Sequence, residues 1–177
     1  MGILKSYYTI RFNDCDPFNH LNNSCYLDYM LNAREDHIKE FYGMSMTDFY
    51  QKDFGWVVGS HEIMYLYPAV YNEQVCIESA VIEATPEHLL IEIMMTNHDA
   101  SQLKAVLWTK FFGINIKTLR RENHPADFLP IALGAIDHSI DAKQGLQERV
   151  NIIRRKMRTE RNQHRTPVNE LRGGKPL

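Results

Sequence analysis

The chain has 177 residues, 44% of them hydrophobic and 24% charged. That composition suits one globular domain and excludes a disordered chain. The longest apolar runs fall far short of the roughly 20 residues that cross a bilayer. The start, MGILKSYYTI, has one Lys and no apolar h-region, so neither a membrane span nor a secretory signal is expected. Three cysteines, Cys15, Cys25 and Cys76, without CxxC spacing argue against a disulfide framework or a zinc knuckle and point to a reducing cytoplasm. The net charge of -2 divides unevenly. Residues 140–177 hold ten Lys/Arg and four Asp/Glu, net +6, whereas residues 1–139 are net -8. The body is acidic and the tail basic, which does not amount to a nucleic-acid domain.

In chain order, KSYYTIRF (5–12) is aromatic, β-branched and alternating, and reads as a strand. The polar stretch RFNDCDPFNHLNN (11–23) follows as a loop. SCYLDYMLNAREDHIKEFYG then repeats apolar residues at Tyr26/Leu27, Met30/Leu31, Ala33, Ile38 and Phe41/Tyr42, a helical stripe, with Gly43 as its stop. A short extra turn of helix fits SMTDFYQKDFG. From Trp56 the period changes to two. WVVGSHEIMYLYP, EQVCIESAVIEAT, EHLLIEIMMTNH and QLKAVLWTKFFGINIKT read as four strands in a meander, the last with a possible bend at Gly113. One long helix and five antiparallel strands can bury the helix stripe only on the concave face of the sheet. The expected class is α+β, with the helix as filling.

The loop before the helix carries the candidate chemistry. Pro17 pushes Asp16 toward extended backbone, and Asn22, Asn23 or Ser24 can cap the helix. The free amides of the helix start then stand a few residues from the Asp16 carboxylate. A helix N-terminus favours negative charge, and a carboxylate beside an oxyanion site is a minimal kit for attack on an acyl carbon. Asp, Asn and Pro before a helix are also ordinary turn and capping residues, so composition leaves both readings open. His20 has no second His or Cys at metal spacing, so no metal site is expected. There is no GxSxG elbow, P-loop or GxGxxG.

The same stretch resembles the opening motif of the 4-hydroxybenzoyl-CoA thioesterase-like family of hotdog proteins. The residues that carry the resemblance are Arg11, Phe12, Asp14, Cys15, Asp16, Asn19, His20, Leu21, Asn22, Asn23, Tyr26 and Arg34. It extends over about residues 5–133. It implies a hotdog fold, a long central helix wrapped by a five-stranded antiparallel sheet, and a homodimer or homotetramer with sites at the dimer interface. Asp16 matches the family's catalytic carboxylate, nucleophile or general base, and the Asn23 backbone N–H matches the position facing the thioester oxygen. His20 and Asn22 rank as loop-ordering residues. Two departures stand out. Asn19 replaces the usual Gly, which predicts a left-handed Asn, and Leu31 and Asn32 stand where many relatives carry a Glu.

A thioester is poorly resonance-stabilised, so a plain carboxylate can suffice against it. CoA is expected as part of the substrate, with no cofactor, and its phosphates would suit the basic residues Lys110, Lys117, Arg120 and Arg121. Tyr26, Tyr29, Met30, Trp56 and Met64 are acyl-pocket candidates. The expected division is a hotdog thioesterase-like domain over 1–139 and a basic extension over 140–177. In the extension Leu146, Val150, Ile153 and Met157 form a helical stripe that would dock on the acidic body or a neighbouring subunit, and the polar end after Arg161 would fray. The leading expectation is an acyl-CoA thioesterase. The alternatives are a thioesterase acting on acyl carrier protein and a non-catalytic acyl-binding module.

Overall fold

The computed structural model describes residues 4–164. Five strands, β1 (Leu4–Thr9), β2 (Phe54–Tyr65), β3 (Gln74–Ala84), β4 (His88–Asn97) and β5 (Leu103–Asn115), form one antiparallel sheet in the order β1-β3-β4-β5-β2. Helix α1 (Asn23–Tyr42) lies on one face of it, with α2 (Met46–Tyr50) and α3 (Leu129–Gly134) beyond its C-terminal end. This is the expected α+β hotdog wrap. The alternation on β4 sorts the two faces: Leu89, Ile91, Ile93 and Met95 join Met30 and Ala33 of α1, while Leu90 and Met94 point the other way.

The four later strands do not form a simple meander. Only β3, β4 and β5 are successive neighbours, and β2 crosses to the outer edge of β5. Period-two alternation identifies strands without fixing who pairs with whom; sequential strands are neighbours in only about two-thirds of cases. The crossover from β2 to β3 has a structural use. Lys104, buried on β5, places its ammonium 2.7 Å from Glu73 and donates to the Pro68 carbonyl at 2.9 Å. That ties residues 68–73 down beside the start of α1.

The α1 stripe differs from the apolar reading at its far end. The buried residues are Tyr26, Met30, Ala33, Arg34 and His37, while Phe41 is exposed. Arg34 Nη1 donates to Ser79 Oγ at 3.3 Å, and the Ser79 hydroxyl lies 2.7 Å from His37 Nδ1. Polar side chains can take core positions when they satisfy one another. Burial, together with the Arg34 charge, pushes His37 down to about 4. Gly43 ends α1 at φ 62°, the left-handed stop expected for it. Gly113 keeps its register in β5, opposite Trp56. A Cβ there would sit 2.4 Å from the Glu122 carbonyl, where the chain returns across the strand.

The fourth helix, α4 (Gly145–His164), covers the other face of the sheet. Its stripe docks as the spacing predicts: Leu146, Val150 and Ile153 are buried against Val106, Trp108 and Ile82, with Met157 partly buried beside them. Glu92, on the same face, accepts from Arg149 Nη2 at 2.8 Å and Nε at 2.9 Å and from Trp108 Nε1 at 2.9 Å. The tail therefore docks on its own sheet. The fraying expected of the polar end falls largely beyond His164, outside the described residues. Among the described residues no helix is long and apolar enough to cross a membrane.

Candidate active site

Residues 10–23 leave β1, pass a 3-10 turn at Phe12–Asp14 and enter α1. The Asp16 side chain organises this loop. Its Oδ1 accepts the Phe18 N–H at 2.9 Å and the His20 N–H at 3.0 Å, and the Asp16 N–H donates to the His20 carbonyl at 2.7 Å. Asn19 turns the chain at φ 65°, the left-handed Asn expected where the family has Gly. With Oδ1 occupied, the half-buried carboxylate has Oδ2 left for a substrate or a water.

The loop is clamped from both sides. The Leu21 N–H donates to the Ala69 carbonyl at 2.8 Å, and the Tyr71 N–H donates to the Asn19 carbonyl at 3.2 Å. On the other side the Tyr29 hydroxyl donates to Asp14 Oδ2 at 2.7 Å and accepts the Arg11 N–H at 3.2 Å. Burial and the Asp14 carboxylate push Tyr29 up to about 12, so it stays a donor at neutral pH.

Asn22 is the helix cap: its Oδ1 accepts the Ser24 N–H at 3.1 Å. Asn23 is the first helical residue, and its N–H is one of those that no intrahelical acceptor can reach. An amide at this end carries the positive pole of a 20-residue helix. Tyr65, at the end of β2, donates its hydroxyl to the Asn23 carbonyl at 2.9 Å and so fixes that peptide against the sheet edge. Tyr65 was not legible as a site residue. Its only signal was an aromatic at the end of an alternating run.

The fold thus brings Asp16, His20, Asn22 and Asn23 together, and His20 takes part through its backbone. The acyl-pocket candidates scatter. Tyr26 is buried beneath the helix start and accepts the Ala69 N–H at 2.9 Å, Tyr29 braces Asp14, and Met30 is solid core. Met64 does not face α1 at all: it packs on the α4 side, because neighbouring residues of a strand point to opposite faces. Trp56 does line an apolar cavity of about 210 Å³, with Leu31, Ile38, Phe49, Ile91 and Phe128, over the C-terminal half of α1. The basic residues lie elsewhere again. Lys110 is mid-strand opposite Ser60, Lys117 pairs with Asp53 at 2.7 Å, and Arg121 stacks over Phe112 at 4.0 Å. Lys117, Arg120 and Arg121 follow the Asn115 end of β5, while the Asp16 loop sits by its Leu103 end. A 13-residue strand is about 40 Å long, so one chain cannot bring Lys117, Arg120 and Arg121 to Asp16.

The surroundings of the loop are apolar and open. Phe12 is 73% exposed and Phe18 78%, and Tyr65, Tyr67 and Tyr71 are also exposed. Among the described residues strand β2 is an edge, paired only with β5, with Val57 and Val58 exposed along it.

Residues 10–133 match the model of the thioesterase-like superfamily. No curated protein sequence matches the chain. Similar solved structures include Slr0204, a 1,4-dihydroxy-2-naphthoyl-CoA thioesterase from Synechocystis (16% identity, 77% of this chain and 99% of that one, TM-score 0.68). The probable thioesterase YbaW from Escherichia coli is 22% identical over 75% of this chain and 98% of its own, with TM-score 0.65. SAV2348 from Staphylococcus aureus, a hypothetical protein solved in complex with CoA, is 14% identical over 75% and 82%, with TM-score 0.68. At these identities the likeness is one of fold.

Proposed function

Because the chain belongs to the thioesterase-like superfamily, we propose that it hydrolyses an acyl-CoA thioester to the free acid and CoA, with Asp16 as the catalytic carboxylate. The observation that carries this reading is the pairing of one oriented carboxylate with a helix start. Two backbone N–H groups fix one oxygen of Asp16, and the free Asn23 N–H stands where α1 begins, seven residues further on. The thioester carbonyl oxygen takes the Asn23 N–H, which stabilises the oxyanion as the carbon becomes tetrahedral. Asp16 then acts in one of two ways. It adds to the carbon, expels the thiolate and leaves a mixed anhydride that water cleaves, or it takes a proton from a water that adds directly. Either route adds one water across the acyl–sulfur bond.

A homodimer completes the site. The exposed β2 edge offers unpaired backbone groups for a second copy, and the exposed rings of Phe12, Phe18 and Tyr71 form a surface that a partner would cover. A two-fold antiparallel pairing of β2 edges would also turn the Asn115 end of one sheet toward the Asp16 end of the other. The apolar cavity at Trp56 supports the acyl group as its occupant: α1 runs from Asn23 to Leu31, the nearest lining residue on the helix, over about 12 Å.

The test is thiol release from a panel of acyl-CoA thioesters by wild type and Asp16→Asn. An Asn Oδ1 can still accept from Phe18 and His20, so the loop is retained. We expect kcat to fall by about 10²-fold or more, with little change in Tm. Undiminished turnover by the variant would overturn the assignment of Asp16, and a wild type inert across the panel would overturn the activity.

A further inference from the structure

We propose that a basic cleft between α4 and the β4–β5 turn receives the phosphate-bearing nucleotide end of the CoA thioester whose acyl end lies at Asp16. This rests on the acyl-CoA reading above. The cleft, about 160 Å³, is lined by Arg154, Arg158 and Arg161 of α4, with Met157, Tyr67 and Ser101. The three arginines stand at i, i+4 and i+7 and so share one face of the helix. Like charges at that spacing oppose the helix that carries them, and the fold does not relieve them. The other arginines of α4 that make ion pairs do so outside this cleft: Arg149 with Glu92 and Arg155 with Glu148. Among the described residues no ion pair involves Arg154, Arg158 or Arg161. Arg161 is held in place by a neutral acceptor, the Ser101 carbonyl at 2.7 Å. The one carboxylate in the turn opposite, Asp99, is engaged by the Ser101 N–H at 3.1 Å. Three guanidinium groups around one cleft, with no carboxylate among the described residues that line it, suit a ligand with several phosphates. Tyr67, 49% exposed at the rim, offers a ring face to a base.

The cleft also lies on the correct end of the molecule. Tyr65 holds the Asn23 carbonyl, Tyr67 lines the cleft, and the Ala69 carbonyl holds Leu21. One short strip of chain thus touches the helix start on one side and the cleft on the other. The route past residues 65–69, round the end of β2 from the α1 layer to the α4 layer, is about 20 Å, two layer spacings. Pantetheine is as long as about four extended residues, about 15 Å, and the diphosphate follows it. Within one chain the basic residues beyond β5 are a whole strand away, so they could reach this CoA only from a partner subunit.

The experiment uses the full chain and the double variant Arg154→Gln/Arg158→Gln. Steady-state kinetics are measured with one acyl group presented as its CoA thioester, as its phosphate-free pantetheine thioester and on holo acyl carrier protein. The expected result is a rise of tenfold or more in KM for acyl-CoA at nearly unchanged kcat, with pantetheine-thioester turnover unaltered. The wild-type KM for acyl-CoA should climb with added salt, and the variant's should climb less. An unchanged acyl-CoA KM would overturn the proposal, as would a loss confined to the carrier-protein substrate. It would equally be overturned if Lys117→Ala/Arg120→Ala raised the acyl-CoA KM and the α4 variant did not. Should wild type turn over none of these thioesters, the activity fails separately, and the cleft is still decided by calorimetry with adenosine 3′,5′-bisphosphate. Binding weakened at least tenfold in the α4 variant supports the site, and no binding to wild type removes it.

Discussion

Replacing Arg149 by Met tests how the C-terminal helix is held. The Glu92 side chain is 5% exposed and that of Arg149 18%. The carboxylate receives two N–H groups from Arg149 and one from Trp108. Without Arg149, a buried carboxylate keeps only the Trp108 indole as a donor. Removing one partner of a buried pair costs about 3–5 kcal/mol, because the remaining charge is uncompensated. At about 2–4 °C per kcal/mol for a chain of this size, Tm should fall by about 10 °C. Urea and thermal melts of Arg149→Met, Glu92→Met and the double variant measure it. The double variant removes both charges from an apolar layer and should lie closer to wild type than Arg149→Met does. A loss below about 1 kcal/mol in Arg149→Met would mean that the pair is effectively solvated. A double variant as damaged as Arg149→Met would mean that the stem of Arg149, not its charge, is what matters.

Three further predictions follow from local geometry. His37 is depressed to about 4 by burial and by Arg34. Between pH 6.5 and 4 the unfolded chain therefore binds a proton that the folded chain refuses, and stability falls as pH falls, by up to about 3 kcal/mol. Urea midpoints at pH 7 and pH 4.5 measure this, and His37→Leu should flatten the slope. Asn22→Ala removes the cap on Ser24 and should cost about 1 kcal/mol by urea denaturation, with Asn22→Ser nearly neutral. Gly113→Ala places a Cβ 2.4 Å from the Glu122 carbonyl and 2.8 Å from Phe54, and because the first of these is backbone the loss should be about 1–3 kcal/mol. A Tm equal to wild type would show that the returning segment yields freely.

Much of this protein follows from local pattern. The helix over 23–42, the strands, the left-handed stops at Asn19 and Gly43 and the docking stripe of α4 are set by periodicity and by backbone preferences that act within a few residues. The Asp16–Asn23 core of the candidate site was legible for the same reason: a loop and the helix it starts are neighbours along the chain. What the sequence left undetermined is long-range. It did not reveal that β2 crosses to the edge beside β5, or that Lys104 and Glu73 pin the crossover onto the loop. Nor did it show that Arg34, Ser79 and His37 meet in the core, or that Met64 faces away from α1. It grouped Lys110, Lys117, Arg120 and Arg121 because they are close in sequence, whereas a strand as long as β5 carries Lys117, Arg120 and Arg121 to the far end of the sheet from Asp16. The arginines of α4 read only as the charge of a basic extension that would dock on the body or a neighbouring subunit; the docked helix brings three of them to the end where Asp16 lies. Local preference determined the elements and the loop. Only the pairing of distant strands and the closing of both sheet faces decided which side chains share a site.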